Sequence, residues 1–203
     1  RRLETDLRSY QGKEVIFNSV MPLEPGEYTC RLVIRDLDTG LSAVSSAKAL
    51  VPATSKSGLK LGTPLLLQED YDCIYLEVKF DNSRLSRLFS EIYSFDQKVF
   101  VPLAGQFSKQ TRHLRVLVPF NTAEGSEAQV ALAVQLIEAS TGQLRPVEAR
   151  LVETIKHSRG ETAVLDLSLP ELKPGDYFLY VNGVDRASKT QAYIQVSFSV
   201  QER

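Results

Sequence analysis

Two histidines, two cysteines and a few clustered acids are the residues of this chain whose types allow chemistry. Spacing decides whether they perform it. His113 falls on the outward face of an alternating segment, and His157 falls in a turn. Neither has a nucleophile or carboxylate at motif spacing. The chain contains no G-x-S-x-G, no Walker loop, no H-E-x-x-H and no G-x-G-x-x-G. Both histidines read as surface residues, no catalytic residue is expected, and the chain reads as a non-enzyme. Asp36 and Asp38 in DLDTG (36–40), with Glu69, Asp70 and Asp72 in LQEDYD (67–72), carry the hard oxygens that calcium takes. Calcium needs about six to eight of them. A calcium ion at a junction between two units would draw on these five acids. DLDTG is followed by LSAVSSA, with no acid to complete such a loop, so Asp36 reads first as the cap of a hairpin turn. No metal and no cofactor is expected.

Composition narrows the class further. Of 203 residues, 43% are apolar, which is enough for a packed core and argues against disorder. Net charge is −1 with both signs interspersed, so no basic face for nucleic acid is expected. No apolar run reaches the ~20 residues of a spanning helix, so no membrane insertion is expected. The opening stretch RRLETDLRSYQGKEV is polar and does not read as a signal peptide; the chain reads as a piece of a longer protein.

The elements that must position any functional residue are announced by a phrase written twice. LEPGEY at 23–28 returns as LKPGDY at 172–177, 149 residues on. Pro25 and Pro174 fix φ, while Gly26 and Gly175 permit φ > 0, so each Pro-Gly pair turns the chain sharply. Tyr28 and Tyr177 each open an alternating strand. Tyr28, Cys30, Leu32 and Ile34 share one face, as do Tyr177, Leu179 and Val181. A leucine, a tight turn and a strand-opening tyrosine look like the tyrosine corner of immunoglobulin-like and fibronectin-type sandwiches, whose hydroxyl bonds back to the backbone. In immunoglobulin domains a disulfide cysteine sits two residues after that tyrosine, where Cys30 stands, and Cys73 is its only intrachain partner. The second phrase has Leu179 there and the chain has no Trp, so a buried free thiol packing as a small hydrophobe is preferred.

Periodicity then predicts an all-β chain of immunoglobulin-like or fibronectin III-like sandwich type. Strands at 98–102, 112–120, 129–139, 146–155, 161–169, 177 onward and 190–200 make a seven-stranded sandwich of 95–203. A smaller or partial unit of 1–82 holds strands near 14–20, 27–36, 42–51, 59–67 and 73–80. Two explanations stand for its missing strands: 59–80 supplies them, which is preferred, or they lie upstream in the parent protein. Between the units, SRLSRLFSEIY places Leu85, Leu88, Phe89 and Ile92 at helical spacing, so 83–94 reads as a short helical connector.

The stretches PLEPGEYTCRLVIRDLDTGLSAVSSAKALVP, LKLGTPLLL and IYSFDQKVFVP, with the closing LKPGDYFLYVNGVDRASKTQAYIQVSFSV, resemble the C-terminal β-sandwich region of bacterial, acidobacteria-type von Willebrand factor A-related proteins. The adhesion motif D-x-S-x-S of the A-type domain is absent. The resemblance implies an exported protein of the cell envelope, periplasmic or extracellular, and carries no metal-dependent adhesion into this chain. The expected function is therefore a non-catalytic module, a structural spacer or a protein-interaction domain whose partner is another protein. The alternative is a carbohydrate-binding module. It rests on Phe178, Tyr180 and Tyr193, which fall on the outward faces of the last two strands.

Overall fold

Alternation of apolar and polar residues accounts for most of the strands. The computed structural model describes residues 14–19, 23–24, 26–51, 58–69, 73–78, 94–95, 98–103, 106–108, 111–122, 129–157 and 160–202. These residues are all β, and no helix occurs among them. In chain order the strands are β1 (Glu14–Ser19), β2 (Gly26–Arg35), β3 (Ser42–Val51), β4 (Lys60–Leu61), β5 (Leu65–Glu69), β6 (Cys73–Val78), β7 (Ser94–Phe95) and β8 (Lys98–Pro102). They continue as β9 (Gln106–Ser108), β10 (His113–Asn121), β11 (Val130–Glu138), β12 (Leu144–Arg145), β13 (Glu148–His157), β14 (Gly160–Ser168), β15 (Gly175–Asp185) and β16 (Thr190–Gln201).

Two large sheets share one core. Sheet I runs β13-β14-β10-β5-β8-β7, with β4 also paired to β10; sheet II runs β12-β11-β15-β16-β9. Pairing is antiparallel except for β9, which lies parallel to β16 at the edge of sheet II. Leu114, Val116, Val118 and Phe120 of β10 and Leu165 and Leu167 of β14 meet Tyr177, Leu179 and Val181 of β15 in a single hydrophobic cluster. Leu136 of β11 and Phe198 and Val200 of β16 join it. Each aliphatic side chain fully enclosed there contributes roughly 1.5–3 kcal/mol. The phenol ring of Tyr177 stacks on Phe198 with centroids 5.7 Å apart. A second cluster of Leu67, Phe100, Leu117 and Val164 lies on the opposite face of sheet I.

The chain is partitioned differently from the expected pattern. The segment 59–67 was expected as one strand of the first unit. It is two strands, broken at Gly62-Thr63-Pro64, and both belong to sheet I. β5 sits between β10 and β8, with Val116 opposite Leu66 and Leu67 opposite Pro102. Leu66 packs in the main core and Leu67 in the second cluster, so β5 is buried on both faces. That is why its sequence is an unbroken LLL run rather than an alternation. The residue before β4 reaches across to sheet II: Leu59 N–H donates to Thr190 Oγ1 at 2.8 Å. A Cβ at Gly183 would lie only 2.9 Å from Leu59 Cδ2 and 3.2 Å from Leu61 Cδ2, so any side chain there would require these leucines to shift. The expected first strand, 98–102, is β8, which pairs with β5 and β7.

Of the strands expected in the first unit, 14–20, 27–36, 42–51 and 73–80 appear as β1, β2, β3 and β6. β1 pairs in parallel with β6, and β2 pairs with β3 as a hairpin. Of the expected helix, 83–93 lies outside the described residues, and Ser94 begins β7.

Candidate functional site

The two phrases fold into corners closed by matching tyrosine hydrogen bonds, although of their two glycines only Gly175 takes a positive φ. Tyr28 Oη donates to the carbonyl oxygen of Glu24 at 2.7 Å, and Tyr177 Oη donates to that of Lys173 at 2.9 Å. Both reach back four residues. Gly175 holds φ +149°, outside the range of L side chains. Pro25 lies outside the described residues, and Pro174 is exposed in the bend before β15. Burial raises the Tyr177 hydroxyl above its ordinary value of 10.0, helped by the nearby Glu138 carboxylate. Glu138 itself is held below its usual 4.5, chiefly by its hydrogen bond from Arg145.

The hairpin turns repeat as well. Asp36 Oδ1 accepts from the backbone N–H groups of Asp38 and Thr39 at 2.9 and 3.2 Å. Asp185, 149 residues on, accepts from the N–H groups of Ala187 and Gln129 and from Ser188 Oγ. Hydrogen bonding, led by Thr39 at the first turn and by Ser188 at the second, holds both carboxyls below their ordinary 3.8. The left-handed residue that ends each turn is Gly40 (φ +73°) in the first and Lys189 (φ +56°) in the second.

This assigns the acids considered for calcium. Asp36 caps a turn, and Asp38 lies exposed within that turn. Glu69 ends β5, and Asp70 and Asp72 lie outside the described residues. Among the described residues no three His, Cys, Asp or Glu side chains gather into a metal-binding group. Cys30 is a free, half-buried thiol. His113 is exposed; His157, expected in a turn, instead ends β13 opposite Gly160.

An ionic cluster on sheet I had no signal in the sequence, because its members are brought together only by strand pairing. Arg115 donates through Nε and Nη2 to both carboxylate oxygens of Asp166 at 2.7 and 3.0 Å. Its guanidinium lies 4.4 Å from the Phe100 ring centroid. Arg150 donates to the same carboxylate at 3.1 Å. Burial pushes the Asp166 carboxyl up, but the hydrogen bonds and charges of the two arginines outweigh it and leave the group below 3.8.

Phe178, Tyr180 and Tyr193 do share a face of sheet II. Tyr177, Leu179 and Val181 point into the core, so the intervening residues point away from it. Phe178 and Tyr180 pack edge to face with centroids 6.4 Å apart, and Tyr193 is 78% exposed. Register places Gln135, Tyr180 and Gln195 in one row across β11, β15 and β16. The adjacent rows are Ala133, Asn182 and Tyr193, and Ile137, Phe178 and Ser197. The amides were missed in the sequence reading. An alternation count would have put them on the same face as the aromatics, but not in the same rows.

No protein-family profile and no curated protein matches this chain. Among solved structures it is similar to a family 123 glycoside hydrolase from Clostridium perfringens, described for glycolipid glycan hydrolysis. That similarity has a TM-score of 0.39 and 13% identity, covers 72% of this chain and spans only 28% of that one.

Proposed function

We propose that this chain is a non-catalytic, immunoglobulin-like β-sandwich module of an exported bacterial protein, of the von Willebrand factor A-related kind. It works in the periplasm or outside the cell as a structural spacer or an interaction domain. Strand order supports the sandwich type. β5-β10-β14-β13 follows the A-B-E-D order of one immunoglobulin sheet, and β11-β15-β16 follows the C-F-G order of the other. The chain crosses from β14 in sheet I to β15 in sheet II at the Tyr177 corner, where that fold places its tyrosine. The observation that carries the interaction role is the outer face of sheet II, where the exposed Tyr193 stands beside the Phe178–Tyr180 pair and a row of amides. The acids with displaced pKa values are meanwhile engaged in turns and ion pairs.

The test uses the chain and one surface variant. Purified chain should co-sediment with bacterial cell-envelope fractions. Tyr193→Asp, at a position 78% exposed, should lose that retention without a fall in Tm. Retention equal to wild type would remove this face from the function. Turnover of ester, phosphate, peptide or glycoside substrates that follows the protein through repurification would overturn the non-catalytic reading.

A further inference from the structure

We infer that the outer face of sheet II is a binding platform for a neutral oligosaccharide. The inference rests on the module reading above and adds the class of ligand.

Three properties of the face select that ligand. First, none of the positions in its three central rows is charged, although the chain is 24% Asp, Glu, Lys and Arg. A charged ligand would shed water there and meet no counter-charge, which is unfavourable. Second, the face alternates rings with amides. Gln135 and Gln195 flank Tyr180 on its two neighbouring strands, and Asn182 lies opposite Tyr193. Each amide both donates and accepts, as does each phenol, and a sugar hydroxyl requires both. A protein surface laid flat over these rows would strand the amides unless it matched every one, and each unmatched buried group costs about 1–3 kcal/mol. Third, the rings stand at different heights. Phe178 and Tyr180 are half-buried, and Tyr193 is 78% exposed. Within the low pair one ring meets the other edge to face, so the pair offers a single aromatic ring face, braced by its neighbour, for the C–H face of one sugar ring. Tyr193 sits on the neighbouring strand in the next row, roughly 7–8 Å diagonally from Tyr180, and can stack a further ring of the same chain. Alternating core and outer positions keep the platform rigid, because the reverse side of the same strand is the fully buried Tyr177, Leu179 and Val181.

The experiment is an NMR titration of the whole ¹⁵N-labelled chain with hexaoses of β-1,4-glucose, β-1,3-glucose, β-1,4-xylose, β-1,4-mannose and β-1,4-N-acetylglucosamine. Polygalacturonate serves as the charged control. Saturable shifts centred on β11, β15 and β16 with at least one neutral hexaose are expected. Tyr193→Ala and Tyr180→Ala should each weaken that binding at least tenfold, and Gln195→Ala by several-fold. Binding that survives both tyrosine substitutions, binding of polygalacturonate alone, or no saturable shift with any hexaose would each overturn the proposal. If no hexaose binds while Tyr193→Asp still abolishes envelope retention, the saccharide assignment fails and the module reading stands. If Tyr193→Asp changes nothing either, the saccharide assignment fails and this face is removed from the function as well.

Discussion

Tyr177 secures the bend before β15 with one hydrogen bond from a hydroxyl whose ring is 1% exposed. Tyr177→Phe keeps the ring stack on Phe198 and deletes that bond. Urea unfolding should show a loss of about 1 kcal/mol. Tyr28→Phe should cost less, because its bond lies exposed to water. Lys189 occupies a left-handed conformation that its counterpart Gly40 adopts without strain. Lys189→Gly should therefore stabilise the chain by about 0.5–1 kcal/mol, and Gly40→Lys should do the reverse. Asp166 makes the chain acid-sensitive with a definite sign. Its carboxyl lies below 3.8 in the folded state, so the unfolded chain takes up the proton first as pH falls. The contribution of Asp166 is present above about pH 4 and is lost as pH drops through the folded value. In Asp166→Asn, stability at neutral pH should fall, while the additional loss between pH 4 and pH 2 should be smaller than in the wild type. Identical acid profiles would show that the Arg115–Asp166–Arg150 cluster carries no linked stability.

Two hairpins of one design sit in different surroundings. Gly26 faces Val51 in β2–β3 as Gly175 faces Val200 in β15–β16, and the register holds with the same 149-residue offset along both hairpins. The corners and turn caps repeat too. Burial does not. Val181 is 0% exposed, whereas its counterpart Leu32 is 45% exposed. At the next inward position Gly183 lies tight against Leu59 and Leu61, whereas Ile34 is 61% exposed. Local hydrogen bonding thus shapes a hairpin by itself, and its contribution to the core depends on what covers it. Val181→Ala should cost about 2–3 kcal/mol in urea titrations, and Leu32→Ala well under half of that. Equal costs would mean that the first hairpin is enclosed in solution.

At the scale of the molecule, residues 58–69 decide where the two-sheet core begins. β5 fills a central position in sheet I, and β4 with the residue before it bridges β10 and Thr190. A fragment of 95–203 lacks both strands and uncovers the edge of β10 beside Val116. It should show weak near-ultraviolet dichroism and a broad urea transition, whereas a fragment of 58–203 should unfold cooperatively. A cooperative 95–203 fragment would return the boundary to the 83–94 connector that the helical spacing of Leu85, Leu88, Phe89 and Ile92 suggests.

Strands, turns and corners could be read from the residues because each depends on neighbours close in the chain. Alternation in RHLRVLVPF marks β10, Pro-Gly before tyrosine marks a corner, and an aspartate four residues before Gly40 or Lys189 caps a turn. Partnership was not legible. The run LLL fits a strand buried on both faces anywhere in a sheet, and nothing local to it names β10 and β8 as its neighbours. Arg115, Asp166 and Arg150 are far apart in sequence, and the amides Gln135 and Gln195 line up with Tyr180 only through register. Pairing and face-to-face burial are long-range contacts whose energies depend on which other strands compete for the same edge. The chain by itself therefore determined the pieces and their turns, and the tertiary structure alone decided which pieces meet, which hairpin is covered and which rings and amides share a surface.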